Sequence, residues 1–214
     1  VLEIPTRDLS EEPAMDDGDC AEAVAFGMSG PNVGLDVLCI GEMGIGNTTA
    51  SAAVCHALYG GKSEDWVGPG TGVTGKELDN KIKIVRESVI LHKAILTDGL
   101  EILRCLGGRE MAAICGAIIT ARLSRIPVLL DGYVTCAAAA ALHAIDSNAL
   151  DHCMVAHVSA EPGHRRIQPR QVGAGAGTRR KPVRTNHQGR CAFEAPGTRH
   201  GQHCGPREQQ IQRN

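Results

Sequence analysis

A chain of 214 residues holds one α/β domain, or one domain with an appendage. Apolar residues make up 43% and aromatics only 2%, so aliphatic and Ala/Gly contacts must build the core. The net charge of −2 hides an acidic body and a basic tail: residues 1–164 carry 11 Lys/Arg against 22 Asp/Glu, and residues 165–214 carry 11 against 2. No signal peptide and no run of about 18 apolar residues is apparent, so secretion and a helical membrane span are disfavoured and a soluble cytoplasmic protein is expected.

Along the chain, residues 14–29 predict a short helix that stops at Gly30-Pro31. Residues 37–40 are a short apolar run meeting glycines, as a buried parallel strand does. A helix over 47–58 follows, with Asn47 placed to cap it. Residues 60–76 form a Gly-rich loop around the single tryptophan, Trp66, and loops of this length are functional or mobile. Leu78, Ile82, Val85, Val89 and Leu96 recur at helical spacing among Lys and Glu, an amphipathic helix over 77–96. A helix over 100–106 ends at Gly107-Gly108, and residues 111–123 are apolar nearly all round, so that helix is expected to be buried. Residues 126–130 and 154–158 read as the second and third strands, separated by an alanine-rich helix over 134–145 whose small side chains permit close packing.

Strands alternating with helices imply right-handed crossovers, a mainly parallel sheet and a ligand at the carboxyl ends of the strands. All three strand ends carry glycine beside a carboxylate: Glu42, Asp131 and Glu161. After His164 the pattern stops. Residues 165–214 are rich in Arg, Gly, Gln, His and Pro, a composition that predicts a disordered basic tail. That tail lacks interleaved aromatics, which disfavours nucleic-acid binding. The nine cysteines show no C-x-x-C spacing, and those in apolar runs, such as Cys39 and Cys115, read as small buried hydrophobes in a reducing compartment. The histidines form no H-x-x-x-H pair, so no metal is expected.

The segment Gly41-Glu42-Met43-Gly44-Ile45-Gly46-Asn47-Thr48-Thr49 fits the phosphate-loop pattern except that Asn47 replaces the lysine, which argues against nucleoside triphosphate hydrolysis. Its glycines still let backbone N–H groups approach an anion, and the following helix adds its positive end. An ordinary tight turn is the competing reading. Glu42 either faces a ligand ring or ribose or is a solvated turn residue. Gly68-Pro69-Gly70-Thr71-Gly72 offers a second rim with backbone donors, and Lys81 is either the missing cation or a solvated helix charge.

The turn at 41–49 resembles that of nicotinate-nucleotide–dimethylbenzimidazole phosphoribosyltransferase, a family of the cobalamin nucleotide-loop pathway. Gly70-Thr71-Gly72, the helix holding Lys81, Gly107-Gly108-Arg109-Glu110, Leu129-Leu130-Asp131-Gly132-Tyr133 and Ser159-Ala160-Glu161-Pro162-Gly163-His164 follow in the family's order, so the resemblance spans about residues 10–164. It implies a parallel-sheet, Rossmann-like three-layer α/β domain with the family's small helical domain largely missing, and homodimers in the intact family. It also implies transfer of phosphoribose from nicotinate mononucleotide to 5,6-dimethylbenzimidazole without a cofactor. Gly44, Gly46, Asn47, Thr48 and Thr49 would line the phosphate and ribose pocket, with Gly70, Thr71, Gly72, Lys81 and Asp131 around the substrate and Glu42 near the reacting bases. The family's general base is a glutamate in a downstream Gly-Glu-Gly, a motif this sequence lacks. Impaired catalysis is therefore expected. The change of composition near Arg165 suggests an out-of-frame reading of the C-terminal region.

Overall fold

The structure is a computed structural model that describes residues 5–31 and 34–171, with side chains through residue 167. All of these residues belong to the first of two units of the chain, residues 1–184. Asp16 starts α1 (Asp17–Met28) by accepting the Asp19 N–H through its carboxylate at 2.8 Å, and Asp17 and Asp19 add negative charge to the first turn. β1 (Leu38–Ile40) leads through the glycine-rich turn to α2 (Asn47–Tyr59). A single 3-10 turn, Ser63–Asp65, interrupts the loop that leads to α3 (Lys76–His92). Next come α4 (Gly99–Leu106), capped by the Asp98 carboxylate on Leu100 N–H and Glu101 N–H, and α5 (Arg109–Leu123). β2 (Val128–Leu130), α6 (Tyr133–Ile145), β3 (Cys153–Val155) and α7 (Pro162–Gln171) complete the described chain.

The three strands form one parallel sheet in the order β1-β2-β3, with Leu38 opposite Val128 and Val128 opposite Cys153. The expected parallel α/β architecture is therefore present. Ile40, Val128 and Leu130 point into the core. The alternate positions behave differently: Cys39 and Met154 are exposed and Leu129 is half-buried. Among the described residues, the face that carries Cys39, Leu129 and Met154 is the more open to solvent. This reverses the expectation for Cys39, because strand side chains alternate between faces and Cys39 falls on the open one. Cys55, Cys115 and Cys136 are buried as expected, and burial pushes the Cys55 thiol up to about 12.

Close helix packing comes from glycine and alanine. α1 lies along α5, and a Cβ at Gly27 would overlap the Ala113 backbone while one at Gly116 would overlap Val24. α4 approaches α6 in the same way, with Gly99 against the Ala141 carbonyl and residues 133–141 of α6 all buried. The alanine-rich helix thus does what its small side chains suggested.

The predicted break after His164 falls inside α7. His164 and Ile167 are fully buried while Arg165 and Arg166 face solvent, so this turn is an amphipathic helix start rather than tail. The remainder of the predicted tail, 172–214, lies outside the described residues.

Candidate functional site

The turn after β1 is built around a carboxylate. The Glu42 Oε2 accepts the Gly44 N–H at 2.7 Å and is also bonded by the Asn47 side-chain amide. Asn47 is therefore not the N-cap. That position belongs to Gly46, whose φ of 84° is one glycine tolerates without strain, and Asn47 becomes the first helical residue, buried beneath the turn. Met43 and Ile45 stand out from the turn, 97% and 96% exposed.

The predicted second rim lies across from the start of α2, and Lys81 joins the two. Its Nζ donates to Thr48 Oγ1 at 2.8 Å and to the Gly68 carbonyl at 2.9 Å. Only 8% of Lys81 is exposed, so it is not a solvated helix charge. Burial lowers its pKa, and the Glu161 carboxylate acts in the opposite direction. An ammonium has three donors, so one remains after these two bonds. Gly70 stands against this pair with φ of 56°, where an added Cβ would meet Thr48 Oγ1 at 2.9 Å and Lys81 Nζ at 3.4 Å. Thr71 and Gly72 continue the rim into solvent, with Gly72 N–H on the Pro69 carbonyl at 3.0 Å. Thr49 is half-buried in the first turn of α2, its N–H on the Gly46 carbonyl at 3.1 Å.

The ends of β2 and β3 add a second cluster. Asp131 Oδ1 pairs with His157 Nδ1 at 2.7 Å, and a Cβ on Gly41 would meet Asp131 Oδ2 at 3.6 Å. Asp131 thus adjoins the glycine turn. His157 was missed in the sequence, although the register that sets Leu130 beside Val155 brings the residues following both strands together.

Glu161 was read in the sequence as a strand-end carboxylate but given no role. Its Oε1 accepts the Gly70 N–H at 2.9 Å, and its Oε2 is buried with no hydrogen-bond partner among the described residues. Behind it His164 is fully buried, with Nδ1 2.8 Å from Ser159 Oγ. Burial, with the neighbouring His157, lowers the His164 pKa to about 4, so the ring is neutral near pH 7. Tyr133 completes this wall by donating its hydroxyl to the Trp66 carbonyl at 3.0 Å, while Trp66 itself is anchored by Nε1–H on the Gly60 carbonyl at 2.8 Å. The predicted loop of residues 60–76 is thus pinned at its buried centre.

On its other flank Glu42 borders a cavity of about 220 Å³ lined by Gly41, Phe26, Ala113 and Ile114 together with the charged Arg109 and Glu110. Among the described residues no cluster of three or more His, Cys, Asp or Glu is arranged to hold a metal ion. No described helix is long and apolar enough to cross a membrane. The Gly44 and Gly70 N–H groups are held by Glu42 and Glu161, so the arrangement presents the N-terminus of α2, two hydroxyls and one buried ammonium on one side, and a carboxylate beside a hollow with both apolar and charged walls on the other. The first set suits an anion and the second an organic ring.

A parallel sheet whose carboxyl edge carries a glycine turn, with a buried lysine bonded to the helix that follows, places the chain in the α/β class. Residues 2–170 match the sequence model of a family described as phosphoribosyltransferase. The chain belongs to that family. The match runs six residues beyond the predicted limit of the resemblance and ends within α7. The nicotinate-nucleotide–dimethylbenzimidazole phosphoribosyltransferases of Brucella canis and Brucella anthropi are each 59% identical over 166 residues, covering 78% of this chain and 49% of the relative. The crystal structure of CobT from Thermus thermophilus superposes with a TM-score of 0.69 at 34% identity, covering 76% of this chain and 50% of that one. The chain thus spans about half the length of the relatives it matches.

Proposed function

We propose that this chain carries the donor-binding half of a phosphoribosyltransferase site, which takes phosphoribose from nicotinate mononucleotide for transfer to 5,6-dimethylbenzimidazole. The products are α-ribazole 5′-phosphate and nicotinate, an intermediate and a by-product of cobalamin nucleotide-loop assembly. The observation that carries the reading is the buried Lys81 ammonium bonded to Thr48 at the start of α2 and to the glycine rim. A phosphate seated there meets the ammonium and the N-terminus of α2 together, both of them favourable to an anion.

In this reading Gly44, Gly46, Asn47, Thr48 and Thr49 line the phosphate and ribose. Gly70, Thr71 and Gly72 close over it, and Asp131 faces the sugar from the end of β2. Glu42 is the carboxylate beside the reacting carbon. As nicotinate leaves, the glycosidic carbon gains positive character, and a fixed carboxylate nearby stabilises it. Phe26, Ala113 and Ile114, which line the hollow flanking Glu42, support an aromatic ring on that side. The benzimidazole must also give up its N–H proton to a base. The sequence has no Gly-Glu-Gly to supply the family's base, so turnover by this chain alone is slow. The same absence favours a second reading, a nucleotide-binding protein without catalysis. A cytoplasmic location, and homodimers in the intact family, complete this reading.

Incubation of the full chain with nicotinate mononucleotide and dimethylbenzimidazole, followed by assay of released nicotinate, separates the two readings. Slow release that requires the benzimidazole supports transfer. Binding of the nucleotide with no release supports the second reading, and no binding by the folded chain rejects both. The out-of-frame origin of the C-terminal region is tested on the gene, where a shifted frame past Arg165 is expected to encode Gly-Glu-Gly, and an unbroken frame giving the same tail would overturn it.

A further inference from the structure

The wall behind the glycine rim contains a group that neither the sequence pattern nor the proposed reaction assigns. Glu161 follows β3, yet it reaches a loop 91 residues earlier in the chain and accepts the Gly70 N–H at 2.9 Å. Its second oxygen is buried against Gly68, where even a Cβ would collide with it. The Gly68 carbonyl is one of the two acceptors of the Lys81 ammonium. One carboxylate therefore touches both ends of the segment that holds the lysine. Its own backbone is fixed as well, because Glu161 N–H donates to Ser159 Oγ at 3.3 Å and that hydroxyl is bonded to the buried His164 ring.

We propose that Glu161 is a positioning residue of the donor site, tying the glycine rim to the end of β3 and setting the charge around the Lys81 ammonium. The proposal rests on the donor-site reading given above. A carboxylate at this place has two separable effects. As an acceptor it holds Gly70 in the left-handed conformation that brings the rim over Thr48. As a negative charge it offsets the loss of hydration that Lys81 suffers on burial. The surroundings of Lys81 leave this role to Glu161. α2 presents the neutral Thr48 hydroxyl, and the loop presents the Gly68 carbonyl. Asp65 of the 3-10 turn packed against α3 is engaged by Arg166 at 2.6 Å, and on α4 Glu101 and Arg104 pair with each other at 2.7 Å.

Glu161→Gln keeps an acceptor for Gly70 and removes the charge, whereas Glu161→Ala removes both. In the free full-length chain, the Lys81 titration followed by NMR is expected to move to lower pH in Glu161→Gln. Calorimetry with nicotinate mononucleotide near pH 7 is expected to show Glu161→Ala binding about tenfold more weakly. Glu161→Gln should recover most of that affinity near pH 7 and lose it at lower pH than the wild type on the alkaline side. A Lys81 titration unchanged in Glu161→Gln overturns the proposal, as does wild-type affinity in a folded Glu161→Ala. If the wild type binds no nucleotide, the donor-site reading fails, and the Lys81 titration alone decides whether Glu161 sets its charge.

Discussion

The packed helices and the strand-end site are built on opposite terms. Where α1 meets α5, glycines lie against backbone carbonyls, and nothing larger fits without moving a helix. At the carboxyl ends of the strands, glycines serve turns with positive φ, polar groups are bonded in chains, and Met43 and Ile45 stand in solvent. One region spends its glycines on close approach and the other on backbone shape. Substitutions in the first should therefore remove the fold, and substitutions in the second should remove ligand while sparing the fold.

The largest effect is expected at Gly116. Its Cβ would overlap the Val24 carbonyl, so Gly116→Ala must push α1 off α5 at a cost of about 3 kcal/mol or more. Chemical denaturation would check this, and a variant of wild-type stability would show that the helices are not interlocked. His164 comes next. Its pKa is near 4 in the folded chain against the usual 6.5, so the unfolded chain binds the proton first as pH falls. Stability attributable to the neutral ring is present above pH 6.5 and lost between about 6.5 and 4, on the order of 3 kcal/mol. Stability of His164→Gln should fall less than that of the wild type over this interval, and parallel curves would contradict the assignment. The smallest effect is expected at the tip of the turn, where Met43→Ser should change stability by about 0.5 kcal/mol or less, measured by the same denaturation.

The two regions also differ in how much of them the sequence disclosed. The short apolar runs that meet glycine became β1, β2 and β3 because a parallel strand buried on its inner face needs little more than that pattern. The amphipathic spacing of α3 likewise appears in its burial, with Val85 fully enclosed. The interlock of Gly27 and Gly116 was invisible, since a single glycine inside a helix carries no sign of the backbone it will meet. Asn47 fits the composition of a cap, but the left-handed Gly46 took that place and freed the Asn47 amide for Glu42. Cys39 reads as core until the register assigns it to the open face.

In the site, Lys81 and the two glycine rims were legible because each sits in a recognisable segment. Glu161 was legible as a strand-end carboxylate but not as the partner of Gly70, because that bond joins segments distant in sequence. α7 was hidden by its arginines. Composition averages over a helix, whereas packing requires only that Gly163, His164 and Ile167 face inward.

The central claim is that the Lys81–Thr48–glycine arrangement is a phosphoribosyl donor site. Calorimetric titration of nicotinate mononucleotide into the full chain and into Lys81→Met tests it most directly. The account predicts saturable binding to the wild type and an affinity at least about tenfold lower in the folded variant, the usual loss for a charge-assisted contact. Equal affinity in the two proteins, or no binding by the folded wild type, would contradict it.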